Sequence, residues 1–460
     1  MLLRFAICCC CAFSLVLDAQ TDRPNIIFIL ADDLGYADLG CYGNPYHRTP
    51  SLDRLASSGM RFTQAYVASP ICSPSRAAIM TAKHPARLQL TNYLVGLRTD
   101  PESPLLPAPF RHFLPAQEET LAEMLSAQGY SCGMVGKWHL GEGPGISAHQ
   151  QGFQYTRQIS KNGLDYYNYA IASNGKEIFA DSGKHYITDK LTDYGLEFIE
   201  SNQEKPFFLY LAYSAPHVLI VPRGDKLRSY LFNYNKFDGK FNPYYAAVIE
   251  SLDDGVGRIL DKLKELGLSE NTLVVFTSDN GGLGVDELGP TPTVNTPLRG
   301  WKGDVYEGGT RVPMIAAWPG RIPAGTANHH YITGTDYLPT FMDIIGQRML
   351  PDSLDGMSFY ETLLHQEAAF DRGPVFWHYP HFSNQKTRPA AAVRAGDFKL
   401  VERYETGKLE LYNLAIDVGE SREIGDYFPE KRKELHELLV DWRRAVNANM
   451  PLPNPDYVEK

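Results

Sequence analysis

Runs of apolar residues alternate with amphipathic stretches along most of the chain. Residues 25–30, 206–213 and 272–277 are almost continuously apolar, as in parallel strands that are covered on both faces. Residues 118–129 and 244–266 show the apolar spacing of helices. Further strands are predicted at 60–67, 130–135 and 311–318, and further helices at 51–58 and 189–201. This alternation predicts an α/β fold with a large mixed, mostly parallel sheet sandwiched by helices.

The pattern changes near residue 373. Residues 392–401 and 408–414 predict shorter alternating strands joined by polar turns, and residues 429–445 predict a charged amphipathic helix. We therefore expect a catalytic α/β domain over residues 20–373. A smaller C-terminal α+β subdomain with an antiparallel sheet is expected over residues 374–460.

The first 19 residues have the layout of a secretory signal peptide. Arg4 precedes an apolar run over residues 5–17 that is too short to span a membrane. No later stretch is long and apolar enough to cross a bilayer, so no membrane span is expected. The mature protein is expected to be periplasmic or secreted.

Composition places the chain among globular proteins: 43% of its 460 residues are hydrophobic and 21% are charged. The net charge of -10 argues against a nucleic-acid partner, which would need a basic face. Four of the seven cysteines lie within the signal peptide, which leaves Cys41, Cys72 and Cys132. A bridge between Cys41 and Cys132 is possible in an oxidising compartment.

The segment Cys72-Ser73-Pro74-Ser75-Arg76 precedes a run of good helix formers. A proline in the first turn predicts that a helix begins here. Cys72 would then lie at the positive end of the helix dipole and beside Arg76, a setting that lowers a thiol pKa and marks a reactive cysteine. The alternative is a buried structural cysteine ahead of an ordinary helix.

Polar side chains stand where four predicted strands end. Asp32-Asp33, Lys137 with His139, His217, and Asp279-Asn280 follow these strands. In open α/β sheets, ligands bind beyond the carboxyl ends of the strands. Three carboxylates and an amide oxygen form a hard site suited to Ca²⁺, or less well to Mg²⁺. A thiolate is not a suitable ligand for such a cation. Either Cys72 is merely near the site, or its sulfur is no longer present in the mature protein.

Cations accompany these acids. Arg76, Lys137, Lys302 and the two histidines His139 and His217 could bind a tetrahedral oxyanion and neutralise an ester oxygen as it leaves. Arg311 could join them, but we interpret it as a solvated surface residue.

Together these motifs resemble the type I, formylglycine-dependent sulfatases, a family of the alkaline-phosphatase-like superfamily. The resemblance covers nearly the whole mature chain, and the bacterial carbohydrate sulfatases are the expected group. It rests on the Cys-x-Pro-x-Arg signature at Cys72, on Gly136 to Gly141, and on Pro216-His217. Asp32-Asp33, Asp279-Asn280-Gly281 and Trp301-Lys302-Gly303 complete the match.

The resemblance implies that a formylglycine-generating maturation enzyme oxidises Cys72. It implies that Asp32, Asp33, Asp279, Asn280 and the formylglycine hydrate at residue 72 hold Ca²⁺. One hydroxyl of the hydrate would attack sulfur and form a covalent sulfate hemiacetal. Ala82 and Lys83 stand where the family usually has Gly and Arg, which bears on how efficiently the chain matures.

The resemblance also implies roles for the surrounding residues. His217 and Lys302 would bind sulfate and protonate the leaving oxygen, with His217 protonated and a neutral-to-acidic optimum. Arg76, Lys137 and His139 would orient the hydrate, and His139 would act as the base that expels sulfate.

A sulfated polysaccharide or its oligosaccharides is the expected substrate. Residues 377–388 form an aromatic, hydrogen-bonding stretch that could contact a sugar through His378, His381, Asn384 and Arg388. A plain interdomain connection is the alternative for this stretch. Two other functions stay open at this point: a phosphate mono- or diester hydrolase of the same superfamily, and a non-catalytic binder of sulfated glycans.

Overall fold

The computed structural model describes residues 23–94, 98–161, 163, 165–233, 241–351 and 353–458. The predicted signal peptide, residues 1–19, lies outside the described residues. Among the helices of the described part, none combines the length and apolar composition needed to cross a membrane.

The strands of the structure follow in chain order. They are β1 (Asn25–Ala31), β2 (Met60–Tyr66), β3 (Leu105–Leu106), β4 (Ser131–Gly136), β5 (Tyr155–Lys161), β6 (Ala170–Ser173), β7 (Lys176–Ala180), β8 (Phe207–Ala212), β9 (Thr272–Ser278), β10 (Arg311–Ala317), β11 (Thr326–Thr333), β12 (Val375–Tyr379), β13 (Ala390–Ala395), β14 (Phe398–Arg403), β15 (Lys408–Asn413) and β16 (Leu452–Pro453).

The α-helices lie between these strands. They are α1 (Pro50–Ser57), α2 (Cys72–Thr81), α3 (Pro85–Leu88), α4 (Leu121–Ala127), α5 (Ile187–Ser201), α6 (Gly224–Asn233), α7 (Pro243–Glu265), α8 (Glu307–Thr310), α9 (Tyr337–Ile344), α10 (Tyr360–Leu364) and α11 (Pro429–Ala445).

Ten strands form the main sheet, in the order β11-β2-β10-β9-β1-β8-β4-β5-β6-β7. The central strands β9, β1, β8, β4 and β5 are mutually parallel. One apolar core covers each face: the first joins the sheet to α2, α4 and α9, and the second joins it to α1, α5 and α7. The predicted mixed, mostly parallel sheet sandwiched by helices is confirmed.

Strand β10 runs antiparallel to both of its neighbours, β9 and β2. Parallel strands need a crossover of a dozen or more residues, usually a helix. Between β9 and β10 the helix is α8, which has four residues, and the rest of the connection is irregular. The chain returns beside β9 in the opposite direction, although the connection over residues 279–310 is long enough for a parallel crossover, and apolar content alone does not predict this direction.

The C-terminal part carries the expected antiparallel sheet, in the order β12-β13-β14-β15, with α11 packed on one face. The single strand predicted over residues 392–401 is two strands, β13 and β14. Gly396, at φ 59°, lies in the tight turn between them. The predicted boundary between residues 373 and 374 lies immediately before β12.

The second face of this small sheet packs against the N-terminal part. Trp377 and Tyr412 share an apolar cluster with Tyr66 and Ile71, and the Trp377 indole donates to the Val67 carbonyl at 2.7 Å. Ile71 immediately precedes α2, so the C-terminal sheet supports the start of that helix.

The remaining cysteines are unpaired in the described structure. Cys41, Cys72 and Cys132 are free thiols. Cys132 is buried in the core on β4, and its thiol lies 3.5 Å from the Ala122 carbonyl. The bridge between Cys41 and Cys132 that the sequence allows does not form.

Candidate active site

Adjacent strands of the main sheet bring their polar ends together at one edge. Asp32 and Asp33 follow β1, Asp279 follows β9, Lys137 follows β4, and His217 lies shortly after β8. Because β9, β1, β8 and β4 are neighbours in that order and run parallel, their carboxyl ends lie side by side. The structure thus assembles in one place residues that are far apart in the chain.

The acidic residues form one connected cluster. The Asp33 backbone N–H donates to Asp279 Oδ1 at 3.3 Å, and Asn280 Nδ2 donates to Asp33 Oδ1 at 2.8 Å. Asp32, Asp279 and Asn280 are completely buried. Asp33 adopts φ 68°, which is uncommon for a residue with a Cβ, and the Tyr245 hydroxyl donates to its carbonyl at 3.1 Å.

Two oxygen atoms of the cluster, Asp32 Oδ1 and Asn280 Oδ1, are buried without a hydrogen-bond partner among the described residues. Leaving such atoms unpaired is costly. Ligand atoms of Asp32, Asp33 and His217 also lie within 4.8 Å of one another. Burial and the nearby Asp32 raise the pKa of Asp279 to about 7. A divalent cation bound to these oxygens would satisfy both atoms and stabilise the carboxylates.

Arg76 and Lys137 connect the acids of different strands. Arg76, fully buried on α2, donates from Nε to Asp279 Oδ2 at 2.8 Å and from Nη1 to the Lys137 carbonyl at 2.6 Å. Lys137 Nζ donates to Asp32 Oδ2 at 2.5 Å. Burial opposes ionisation of Asp32, but the positive charges of Lys137 and Arg76 lower its pKa well below the usual range.

Lys302 and His217 form a second pair. Lys302 Nζ donates to Asp33 Oδ2 at 2.7 Å and lies 3.2 Å from His217 Nε2. Although burial opposes its charge, Asp33 raises the pKa of Lys302 well above the usual range. His217 Nδ1–H donates to the Val218 carbonyl at 2.5 Å, which leaves Nε2 to accept from Lys302. Burial and Lys302 lower the pKa of His217, so the geometry favours a neutral imidazole, in contrast to the predicted protonated one.

Cys72 is the first residue of α2, as the Ser-Pro step predicts, and it is 4% exposed. The expected lowering of its thiol pKa is wrong. Burial raises the pKa, and this effect outweighs the opposing influence of Lys137 and Lys302. An unmodified Cys72 is therefore a neutral thiol.

His139 lies in the loop after β4 with φ 58°, a conformation uncommon for histidine. Its Nδ1 is buried and has no hydrogen-bond partner among the described residues. Burial, together with Lys137 and Arg76, holds the pKa of His139 well below its usual value. The imidazole is therefore neutral.

These groups line one cavity of about 720 Å³. Of the predicted site residues, it is lined by Cys72, Lys137, His139, His217, Lys302 and Asn384. Asp32, Arg76 and Asp33 contact the lining residues Lys137 and Lys302, and Asp279 and Asn280 contact Arg76 and Asp33 in turn. The metal and catalytic candidates are therefore contiguous.

The aromatic stretch at 377–388 contributes less to the cavity than expected. His378 is 1% exposed and lies between the Tyr404 hydroxyl and the Asn449 carbonyl, and His381 is completely buried beside Thr91. Arg388 lies at the surface, paired with Asp100 and Glu405. The substrate-binding interpretation of these three residues is thus corrected, and Asn384 is the one that lines the cavity.

Arg311 also differs from expectation. It was interpreted as a solvated residue, but it is 9% exposed, donates from Nε to the Thr63 carbonyl at 2.8 Å, and lies 3.4 Å from Glu307. Arg311 does not line the cavity.

Several contributors to the site escaped the sequence reasoning. Glu287 and Gln385 line the cavity, and Gln385 Nε2 donates to a Glu287 carboxylate oxygen at 2.7 Å. Asp38 is buried behind Asp33 and accepts the Tyr245 hydroxyl at 2.8 Å. Asp38 lies five residues after Asp33, and this closeness in the sequence could have identified it as part of the site. Glu287 lies in an irregular loop with no such signal.

The comparisons with known proteins agree with this geometry. The family model described as Sulfatase matches residues 24–347. The chain belongs to the sulfatase family. A second family model, N-sulphoglucosamine sulphohydrolase, C-terminal, matches residues 300–445 of this sulfatase. The protein is thus a sulfuric ester hydrolase of the alkaline-phosphatase-like superfamily.

Its curated relatives include a "Sulfatase" from Formosa agariphila, 32% identical, with 95% of this chain and 94% of the relative aligned. The N-acetylgalactosamine-6-sulfatase of Rattus norvegicus is 31% identical over 93% of this chain and 80% of its own.

Two solved structures are also similar to this chain over most of its length. Ps i-CgsB in complex with k-i-k-neocarrahexaose superposes with a TM-score of 0.79 at 29% identity, covering 91% of this chain and 92% of that one. BT4656 in complex with its substrate D-glucosamine-2-N,6-O-disulfate gives 0.73 at 25% identity, covering 95% and 100%. Both comparisons span nearly the whole of this sulfatase.

Proposed function

We propose that this sulfatase removes O-sulfate groups from an oligosaccharide or polysaccharide, using Ca²⁺ and a formylglycine formed from Cys72. The observation that carries the proposal is the position of residue 72 in a cavity directly above a buried cluster of oxygen ligands. The saccharide class is supported by two relatives: one is named for N-acetylgalactosamine 6-sulfate, and the other is bound to a glucosamine disulfate.

Asp32, Asp33, Asp279 and Asn280 would hold the cation. Their ligand atoms are oxygens supplied wholly by the protein, a set that favours Ca²⁺ over Mg²⁺, which usually keeps several waters. The unpaired Asp32 Oδ1 and Asn280 Oδ1 are the atoms that such an ion would satisfy. Bound there, the cation supplies Lewis acidity next to residue 72.

A formylglycine at residue 72 supplies a hydrate oxygen as the nucleophile toward sulfur. The proposal thereby accounts for a cysteine in a setting where its own thiol stays protonated. Lys137 and Arg76 are held by Asp32 and Asp279. They provide fixed positive charge beside that position, where the sulfate must bind.

Lys302 is placed to stabilise negative charge on the leaving oxygen. Its ammonium group is kept charged by Asp33 and stands at the cavity wall next to neutral His217. A charged donor held in place before the reaction stabilises the charge that develops on the departing alcohol.

His139 is the base for the final proton. Its imidazole is neutral and its Nδ1 is without a hydrogen-bond partner among the described residues, so this nitrogen can accept the proton of the remaining hydroxyl and allow sulfate to leave.

The experiment combines mass spectrometry with sulfate release. The peptide that contains residue 72 should carry an aldehyde in place of the thiol, and the protein should release sulfate from an aryl sulfate and from members of a panel of defined sulfated saccharides. The Cys72→Ala variant is the matched control and should be inactive. An unmodified thiol in a protein as active as the mature form would overturn the proposal, as would faster hydrolysis of an aryl phosphate.

A further inference from the structure

The catalytic cavity is flanked on two sides by further cavities. One has a volume of about 1300 Å³ and adjoins the catalytic cavity at Val218 and Leu288, which line both. The other has about 380 Å³ and adjoins it at Glu142, Gln158 and Ser160, which again line both. The sulfate-binding position therefore opens into the middle of a longer depression. We call the larger flanking cavity the aromatic arm and the smaller one the polar arm.

The order of the strands arranges the three cavities in a row. The aromatic arm is lined by the segments that follow β9, β1 and β8. The catalytic cavity is lined by residues that follow β9, β8 and β4 and by residues of β5, and the polar arm is lined by residues that follow β4 and by residues of β5 and β6. Since these strands are consecutive in the sheet and neighbouring strands lie ~4.8 Å apart, the row extends over roughly 20–25 Å.

The chemistry of the arms suits a sugar chain. Tyr46 and Tyr244 line the aromatic arm; Tyr46 stacks on Phe241 with ring centroids 5.1 Å apart, and Tyr244 is 46% exposed. Aromatic faces pack on the apolar faces of sugar rings while the phenol contacts hydroxyl groups. His149 and Gln150 line the polar arm and offer donors and acceptors for hydroxyls.

From this arrangement we propose that the enzyme acts on a sulfated unit inside a saccharide chain, with neighbouring units bound in the aromatic arm on one side and the polar arm on the other. A cavity adapted to a terminal unit would be closed beyond the sulfate-binding position on one side. Here both sides continue into lined cavities. This inference rests on the proposed saccharide sulfatase activity and specifies the form of its substrate.

The test uses the best substrate of the saccharide panel in three forms. These are the free sulfated monosaccharide, a hexasaccharide sulfated on an internal unit, and a hexasaccharide sulfated on its terminal unit. We expect kcat/KM for the internal form to be about tenfold higher than for the terminal form and about 100-fold higher than for the monosaccharide, because these fill one arm and neither arm, and a contact of about 1.4 kcal/mol in each arm gives a factor of ten.

The paired variant Tyr244→Ala/His149→Ala removes one side chain from each arm. We expect it to lose the preference for the internally sulfated hexasaccharide, mainly through KM, while hydrolysis of the aryl sulfate is unchanged. Tyr427→Ala/His365→Ala is the matched control, since both residues are exposed and line none of the three cavities.

Equal kcat/KM for the three wild-type substrates, or a preference for terminal sulfate, would overturn the inference even if the paired variant failed to fold. Failure of the underlying proposal is distinct, because the wild-type enzyme would then release no sulfate from the aryl sulfate or from any saccharide.

Discussion

At the scale of single residues, Lys302, like Lys137, both contacts the acid cluster and lines the cavity. Its Nζ donates to Asp33 Oδ2 and approaches His217 Nε2. Lys302→Met keeps the length of the side chain but removes the charge beside the leaving oxygen. We expect kcat to fall by about 100-fold or more, since removing one such preorganised donor costs about this much, with a smaller change in KM.

Steady-state kinetics on an aryl sulfate measures this effect, with thermal unfolding to confirm the fold. Lys433→Met is the control, because Lys433 is exposed on α11 and should leave kcat unchanged. A Lys302→Met enzyme with wild-type kcat would show that another group assists departure of the alcohol.

His84 makes the stability of the protein depend on pH. Its Nδ1 accepts from the Ala86 N–H at 3.1 Å, so its Nε2–H donates to the Phe376 carbonyl at 3.0 Å. Burial lowers the pKa of His84 to about 4 despite nearby Asp355. In the unfolded chain His84 has its ordinary pKa of about 6.5. Between about pH 4 and about pH 6.5 the unfolded chain binds more protons at His84 than the folded protein does. The free energy of unfolding should therefore fall by about 3 kcal/mol as pH drops from about 6.5 to about 4.

Urea unfolding at a series of pH values tests this dependence. His84→Asn retains a capping side chain but cannot be protonated, so its free energy of unfolding should change less over the same range. His365→Asn, at an exposed position, should keep the wild-type slope. Identical slopes for wild type and His84→Asn would contradict the prediction.

The sequence anticipated the residues at the cavity floor better than those expected to bind sugar. Asp32, Asp279 and Lys137 directly follow apolar strands, and parallel topology forces such positions together. His378 and His381 were chosen from an aromatic stretch without such a constraint. His378 lies in strand β12, where side chains alternate between two faces, and it points into the interior.

At the scale of secondary-structure elements, α4 has a well-formed N-terminus. Thr120 Oγ1 accepts from the Glu123 N–H, and a Glu123 carboxylate oxygen accepts from the Thr120 N–H at 2.8 Å. Glu123→Ala removes half of this reciprocal pair, and we expect the free energy of unfolding to fall by about 1 kcal/mol.

Chemical denaturation of Glu123→Ala and Glu123→Gln provides the comparison. Glutamine can accept the same hydrogen bond, so the second variant should retain most of the stability. If the two variants lost equal amounts, the charge of Glu123 and not its hydrogen bond would be responsible.

Long apolar elements were predicted to within a few residues, as α7 and β8 show. The strands β5, β6 and β7, at one end of the sheet, were not predicted. β5 is largely half-buried, β7 is largely exposed, and β6 has four residues, so none of them shows the long apolar run of a central strand.

At the scale of the whole molecule, a buried ion cluster joins the C-terminal sheet to the catalytic part. Lys399 on β14 is completely buried, 2.8 Å from Glu307 and 3.0 Å from Glu420. Glu420 also accepts from the Glu307 backbone N–H at 2.7 Å. Lys399→Met would leave the buried Glu420 without a cation and Glu307 with Arg311 only, and we expect a loss of about 3 kcal/mol in the free energy of unfolding.

Urea unfolding measures this loss. Adding Glu307→Gln and Glu420→Gln to Lys399→Met removes the uncompensated charges and should recover part of the stability. Lys431→Met, which breaks a surface pair with Glu434, is the control and should cost less than about 1 kcal/mol. A loss of similar size in both lysine variants would show that the buried position has no special importance.

Helix α2 is buried over its entire length, and Cys72 is its first residue. The proposed conversion of Cys72 to formylglycine needs another enzyme to reach this thiol, and the packed helix leaves it only 4% exposed. The proposed oxidation would therefore compete in time with folding. The active fraction of a preparation would then depend on two rates during biosynthesis, and molecules that fold first would remain inert for as long as their native state persists.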